Sequence, residues 1–300
     1  MIKRSKRTRA RGFAPWKPKP ETLELVASVR AVLDEYREHL PLTVRQVFYR
    51  LVGTQGYDKT EAAYGRLCET VNRARRARLI DFASIRDDGA SRYERTAWRD
   101  ADAFISDMRT EAERFRLDRQ DGQAVRLWLL CEAQGMAPML YRAASAYSVP
   151  VLSSGGFDSL TAKHDLAREL AGALRRGQRA EVLHVGDHDP SGTHLFSSLA
   201  EDVSAMCVEL VGKLPTFTRL AVTVEQIEAF NLPTAPPKAT DRRAFEGDTV
   251  QAEALPPDVL SGIVREAIEA RRDRATLEQV LAAEAGHRTA LTEMLGGRDG

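Results

Sequence analysis

VRLWLLCEAQG at residues 125–135 and EVLHVGDHDPSG at 181–192 decide the fold. Each opens on an apolar run of strand length, reaches acidic residues at its end, and leads into a stretch of helical periodicity. The runs 125–131, 149–154 and 181–186 predict strands, and 136–147, 158–175 and 191–208 predict the helices that follow them. A further strand is expected at 217–222, with a short helix at 223–230. Strands alternating with helices imply βαβ units with right-handed crossovers. The class is therefore α/β, with a central parallel sheet flanked by helices.

Three acids fall at the ends of these strands: Glu132, Asp187 and Asp189. Ligands of open α/β sheets bind at the carboxyl ends of the strands. On extended chain, Asp187 and Asp189 face the same side, roughly 6.6 Å apart. Carboxylates so placed can share one hard cation, and Mg²⁺ suits an all-oxygen set. Pro190 ends ladder pairing, and Gly192 permits close backbone approach at the next helix start. His184, His188 and His194 invite a zinc reading, but no thiols accompany them and the acids already account for the site.

Working outward, residues 1–20 form a basic arm containing Lys3 and Arg4, with no acid before Glu21. It either tracks phosphates or solubilises the chain. Residues 21–100 are helical in pattern. One amphipathic helix is expected over 21–40, a second starts near Thr43 as N-cap, and a third covers 59–77. Short helices followed by a small strand or turn fit a winged-helix module. Residues 101–122 predict a linker helix, 123–230 the sheet domain, and 231–300 a Pro-rich loop followed by two helices that complete or pack on it.

The net charge of +1 hides a division. Residues 1–100 carry 22 Lys and Arg against 13 Asp and Glu, whereas the remaining 200 carry 22 against 30. A basic first third suits a polyanion, and an acidic remainder suits cations. Arg73, Arg75, Arg76 and Arg78 crowd one predicted helix end. Either they complement the helix dipole or they contact phosphates. The three cysteines are scattered, which reads as reduced thiols. No apolar run nears the roughly 20 residues of a membrane span. A cytoplasmic protein is expected, nucleoid-associated or phage-encoded in a bacterial host.

Glu132 with Asp187-His188-Asp189-Pro190-Ser191-Gly192 resembles a toprim domain, the fold of topoisomerases, primases and some nucleases. With Gly155-Gly156-Phe157-Asp158 between the acids, the form is similar to the A subunit of topoisomerase VI and the meiotic double-strand-break proteins. The segments Arg219-Leu220-Ala221-Val222-Thr223 and Ala252-Glu253-Ala254-Leu255-Pro256 extend the likeness, which spans roughly 40–270. This resemblance implies a catalytic tyrosine in the N-terminal domain, and VRQVFYRLV (44–52) fits it, with Tyr49 as nucleophile. As a helix, Val44, Val47, Phe48 and Leu51 form one apolar stripe, and Tyr49 lies about 150° from its centre. Arg45, one turn earlier, shares the face of Tyr49. A guanidinium there lowers a phenol pKa and can hold a phosphate. An off-core surface tyrosine is the plainer alternative.

Together these readings imply Mg²⁺-dependent cleavage of double-stranded DNA by tyrosine transesterification, with a 5′-phosphotyrosyl intermediate. Glu132 either completes the metal site or moves protons. The resemblance implies a homodimer in which the tyrosine of one subunit works with the acids of another. Strand passage would require a separate ATPase subunit. Two alternatives stand: a toprim-type nuclease using water, and a non-catalytic DNA-binding protein.

Overall fold

The computed structural model describes residues 13–86, 95–153, 159–237, 245 and 247–296. Lys3, Arg4 and the Gly155–Asp158 stretch lie outside the described residues. The chain begins with α1 (Pro20–Glu35), β1 (Leu42–Thr43), α2 (Val44–Gln55), α3 (Glu61–Arg76) and β2 (Ile85–Arg86). β1 and β2 pair in parallel through Leu42–Ile85 and Thr43–Arg86. Thr43 caps α2 as expected: its side chain accepts from the Gln46 N–H while the Gln46 side chain accepts from the Thr43 N–H. Thr60 caps α3 through the Ala63 N–H. The single helix expected over 21–40 stops at Glu35, and a 3-10 turn at Arg37–His39 follows.

Next comes α4 (Ala101–Glu113), where a linker helix running to 122 was expected. It ends nine residues early because the chain turns to meet the last helix, where the Leu117 N–H donates to Glu284. The remaining elements are β3 (Val125–Cys131), α5 (Ala137–Ser145), β4 (Val151–Ser153), α6 (Leu160–Arg175), β5 (Arg179–Val185), α7 (Pro190–Val211), β6 (Thr216–Ala221), α8 (Val224–Ala229), α9 (Pro257–Glu269) and α10 (Arg274–Gly296). The four expected strands of the sheet thus form, all parallel, in the order β4-β3-β5-β6.

Period-two alternation sorts the strand side chains onto two faces. Leu127, Leu129 and Cys131 of β3, with Leu183 and Val185 of β5, join one core. Trp128 and Leu130, with Ala180 and Val182, join the other. The second core is closed by α6 and α7 through Leu166, Leu170 and Val203. The first contains Met139 and Leu140 of α5 and Leu260 and Val264 of α9, and it runs on without a break into Val29, Val47 and Leu67 of the N-terminal helices. The basic third of the chain is therefore seated on one face of the α/β sheet.

The sheet order fixes where a ligand can sit. From β3 the chain crosses by α5 to β4 on one side, then returns by α6 to β5 on the other. The direction of winding reverses between β3 and β5, which opens a crevice at their carboxyl ends. No described helix is long and apolar enough to cross a membrane.

Candidate active site

Glu132 and Asp187 stand at that crevice. Glu132 follows the last residue of β3, and its N–H donates to Val185 O at 2.9 Å. Its carboxylate accepts the Asp187 N–H at 3.0 Å, bridging the two strand ends. Glycine makes room for it. A Cβ at Gly186 would come within 2.7 Å of Glu132 Oε2, and one at Gly192 within 2.8 Å. Asp189 is the N-cap of α7, accepting the Gly192 N–H at 2.6 Å. Asp187 Oδ1 accepts the Ala252 N–H at 2.8 Å.

Crowding and burial act on these acids together. The Glu132 carboxyl is pushed up to about 7, first by burial and then by the charge of Asp187. Asp187 is also raised, by burial, against the pull of the Ala252 N–H. Arg219 supplies opposing charge. Its guanidinium donates to the carbonyls of Gly186 at 3.0 Å and of Asp187, and to Val222 O at 3.1 Å, holding the acid loop in shape. Among the described residues, no three His, Cys, Asp or Glu side chains converge closely enough to hold a metal ion as they stand. The oxygens of Glu132, Asp187 and Asp189 are the hard donors that a divalent cation takes, and the space cleared by Gly186 and Gly192 is filled by the Glu132 carboxylate itself.

Tyr49 differs from its expected setting. A helical wheel puts it off the core, yet it is only 6% exposed. The far side of α2 is covered by residues 249–254, some two hundred positions later in sequence. The Tyr49 hydroxyl donates to Gln251 Oε1 at 2.9 Å, its ring packs edge-on to Phe48, and Lys59 Nζ lies 5.8 Å from the ring centre. Arg45 does draw the phenol down, as anticipated, but burial outweighs it and the phenol is pushed up to about 12. Arg45 also sits over the Tyr64 ring, 5.6 Å from its centre.

Residues 249–254, expected as part of a loop, form the seam between the tyrosine and the acids. Val250 exchanges backbone hydrogen bonds with His188 at 2.8 and 2.9 Å. Gln251 takes the tyrosine hydroxyl, Ala252 serves Asp187, and Ala254 O accepts from Arg50. Glu253, 5% exposed and with Oε2 unpartnered, is pushed up to about 7 by burial, then Asp187, against the pull of Arg45. A cavity of about 780 Å³ opens here, bordered by Arg45, Tyr49, Lys59, Asp189, Ser191 and Gln251. Gln251, Glu253, Lys59 and Arg219 escaped the sequence reading of the site. The similarity at 252–256 marked the stretch containing Glu253 without giving it a task.

The arginine group at the end of α3 has internal partners. Arg73 pairs with Glu69 at 2.6 Å, Arg76 bonds Asn72 at 2.8 Å, Arg75 stacks over Phe82, and Arg78 stacks over Phe13. These contacts brace the turn after α3. Among the histidines, His184 is buried, stacked on Phe196 and lowered to about 3 by burial and Arg219, and His188 packs edge-on to Phe245. No family model, curated protein or solved structure matches the chain.

Proposed function

We propose that the chain cleaves double-stranded DNA by Mg²⁺-dependent tyrosine transesterification, as a winged-helix module joined to a toprim domain. The observation that carries this reading is one cavity bordered by a phenol, a guanidinium and the carboxylate that caps α7: Tyr49, Arg45 and Asp189. Its volume of about 780 Å³ accommodates a nucleotide-sized segment of backbone. Tyr49 Oη attacks phosphorus, forming the O–P bond as the P–O3′ bond breaks. The phenol gives up one proton and the released 3′ oxygen takes one, so protons balance, with Glu132 as the proposed carrier. Arg45 holds the phosphate beside the phenol. A divalent cation held by Asp187, Asp189 and Glu132 would supply neutralisation of charge on the phosphate and the leaving oxygen. The phosphotyrosyl link conserves the bond, so resealing is open to it. Two copies acting on opposite strands would make a double-strand break, with passage of a second duplex left to a separate ATPase subunit.

One observation favours a second reading. A buried phenol held near 12 is a reluctant nucleophile, whereas a divalent cation at the acids would lower the pKa of a bound water and supply hydroxide in its place. In that case the acids direct water at the phosphate, and the chain is a nuclease. Denaturing capture from supercoiled DNA with Mg²⁺ separates the two. Transesterification leaves protein on 5′ ends, and Tyr49→Phe abolishes it. Hydrolysis leaves free 5′ phosphates, and Tyr49→Phe cuts as the parent does. Asp187→Ala is expected to stop both. Salt-sensitive binding without any break, at all Mg²⁺ concentrations, would leave a binding protein only.

A further inference from the structure

From the cleavage reading we take only DNA as the polymer; from the geometry at the end of α3 we infer a separate site, where Phe13 and Phe82 stack on the unpaired bases of a single DNA strand. Residues 70–86 carry five Arg against one acid, Asp81, in a chain whose net charge is +1. So local an excess suits a polyanion. The Asp81 side chain is itself engaged, accepting the Ala83 N–H at 3.2 Å. Charge alone does not account for the rings. Phe13 is 61% exposed and Phe82 48%, and they meet edge to face with centroids 5.8 Å apart. A phosphate gains nothing from either ring. A base does, because every base has a π face, and aromatic side chains within a basic surface hold single strands without reading their sequence.

The two rings are held in place before any strand arrives. Arg75 sits over Phe82, its Cζ 4.6 Å from the ring centre, and donates to Phe82 O at 3.4 Å and Ile85 O at 3.3 Å. Arg78 sits over Phe13, 4.4 Å from its centre. The Ala14 N–H donates to Arg76 O at 3.1 Å and pins the chain beside Phe13 to the end of α3. Each guanidinium covers one side of its ring, and the exposure that remains is open to a base. A base there completes an arginine–phenylalanine–base stack, with the positive charges beside its phosphates. The position is distinct from the cavity at Tyr49. The cavity is bordered by Thr60 to Cys68 at the start of α3, whereas Arg78 and Phe82 lie beyond its last residue, Arg76. The two are separated by roughly 15 Å along the helix axis. The rings can therefore be changed without touching Tyr49 or the acids.

Two experiments test it. First, a short fluorescein-labelled oligodeoxynucleotide, as a single strand and as its duplex, is titrated with the full chain in EDTA and followed by anisotropy. Phe82→Ala is expected to weaken single-strand binding about tenfold and duplex binding by less than about twofold, while Phe82→Trp keeps the single strand. Equal loss on both forms would make the patch a phosphate contact and overturn the inference. Single-strand binding left unchanged by Phe82→Ala and Phe13→Ala alike would leave the rings as braces only, and also overturn it. Second, a single strand carrying iodouracil is irradiated on the parent chain, a measurement that needs no variant and no activity. Crosslinks are expected on the peptides holding Phe13 and Phe82, and crosslinks only elsewhere, or none, would overturn the inference. Should the parent cut no DNA while the strand crosslinks to these rings, the cleavage reading fails and the stacking site stands. Should it cut while the crosslinks map elsewhere, cleavage stands and the stacking site fails.

Discussion

Burial makes the charged form of Glu253 costly. The residue is 5% exposed, one carboxylate oxygen is unpartnered, and Asp187 lies within electrostatic reach. Its carboxyl is raised from 4.5 to about 7. A raised folded pKa contributes stability that is full below the unfolded value and lost as pH climbs through the folded one. The loss therefore falls between about pH 4.5 and 7 and amounts to about 3 kcal/mol above that window. Glu253→Gln keeps the shape and removes the charge. In EDTA it should melt with the parent at pH 4 and well above it at pH 8. Parallel melting curves across that range would show that the carboxylate finds its charge tolerable. Tyr49 lies off the apolar stripe of α2 and is buried all the same, because Gln251 covers that side of the helix.

At the scale of elements, α2 aims the tyrosine, and its start is set by a reciprocal cap. Thr43 and Gln46 each accept the other's backbone N–H, at 3.0 and 2.9 Å. Thr43→Ala removes one acceptor and should cost about 1 kcal/mol, read as a lower urea midpoint with unchanged slope. No shift in midpoint would mean the helix start is held by core packing alone. This cap could be read from residue type and position, whereas Asp189, expected on extended chain with Asp187, lies beyond the end of β5 and caps α7. The seam at 249–254 could not be read in that way. It has no periodicity, and its order comes from partners on α2 and the acid loop.

Over the whole molecule, the C-terminal helix is tied back by a buried ionic cluster. Glu284, 2% exposed, accepts from Arg119 at 2.8 Å, from Arg288 at 2.8 Å and from the Leu117 N–H at 3.1 Å. Removing the carboxylate leaves two cations with their partner gone. Glu284→Ala should destabilise the protein by about 3 kcal/mol. Hydrogen exchange should rise in α4 and α10 first, because those helices pack together here. Uniform acceleration across the sheet instead would show that α10 is part of the central cooperative unit. The charge division between the chain's ends acquires a spatial sense too: the basic helices sit on the sheet face whose strand ends carry the acids.

The sequence by itself determined the parallel sheet, the Thr43 cap of α2 and the three acids that follow the strands. Each of those follows from local period or from residue type at an element's end, and such signals are complete within a dozen residues. Only the tertiary structure decided that Tyr49 is buried, that burial outweighs Arg45 at its phenol, and that Tyr49 and Asp187 are tied to the consecutive residues Gln251 and Ala252. Those outcomes depend on contacts such as Tyr49 with Gln251 and Asp187 with Ala252, 202 and 65 residues apart in sequence. Burial and field at a side chain are set by whatever packs over it, and no window along the chain contains that information.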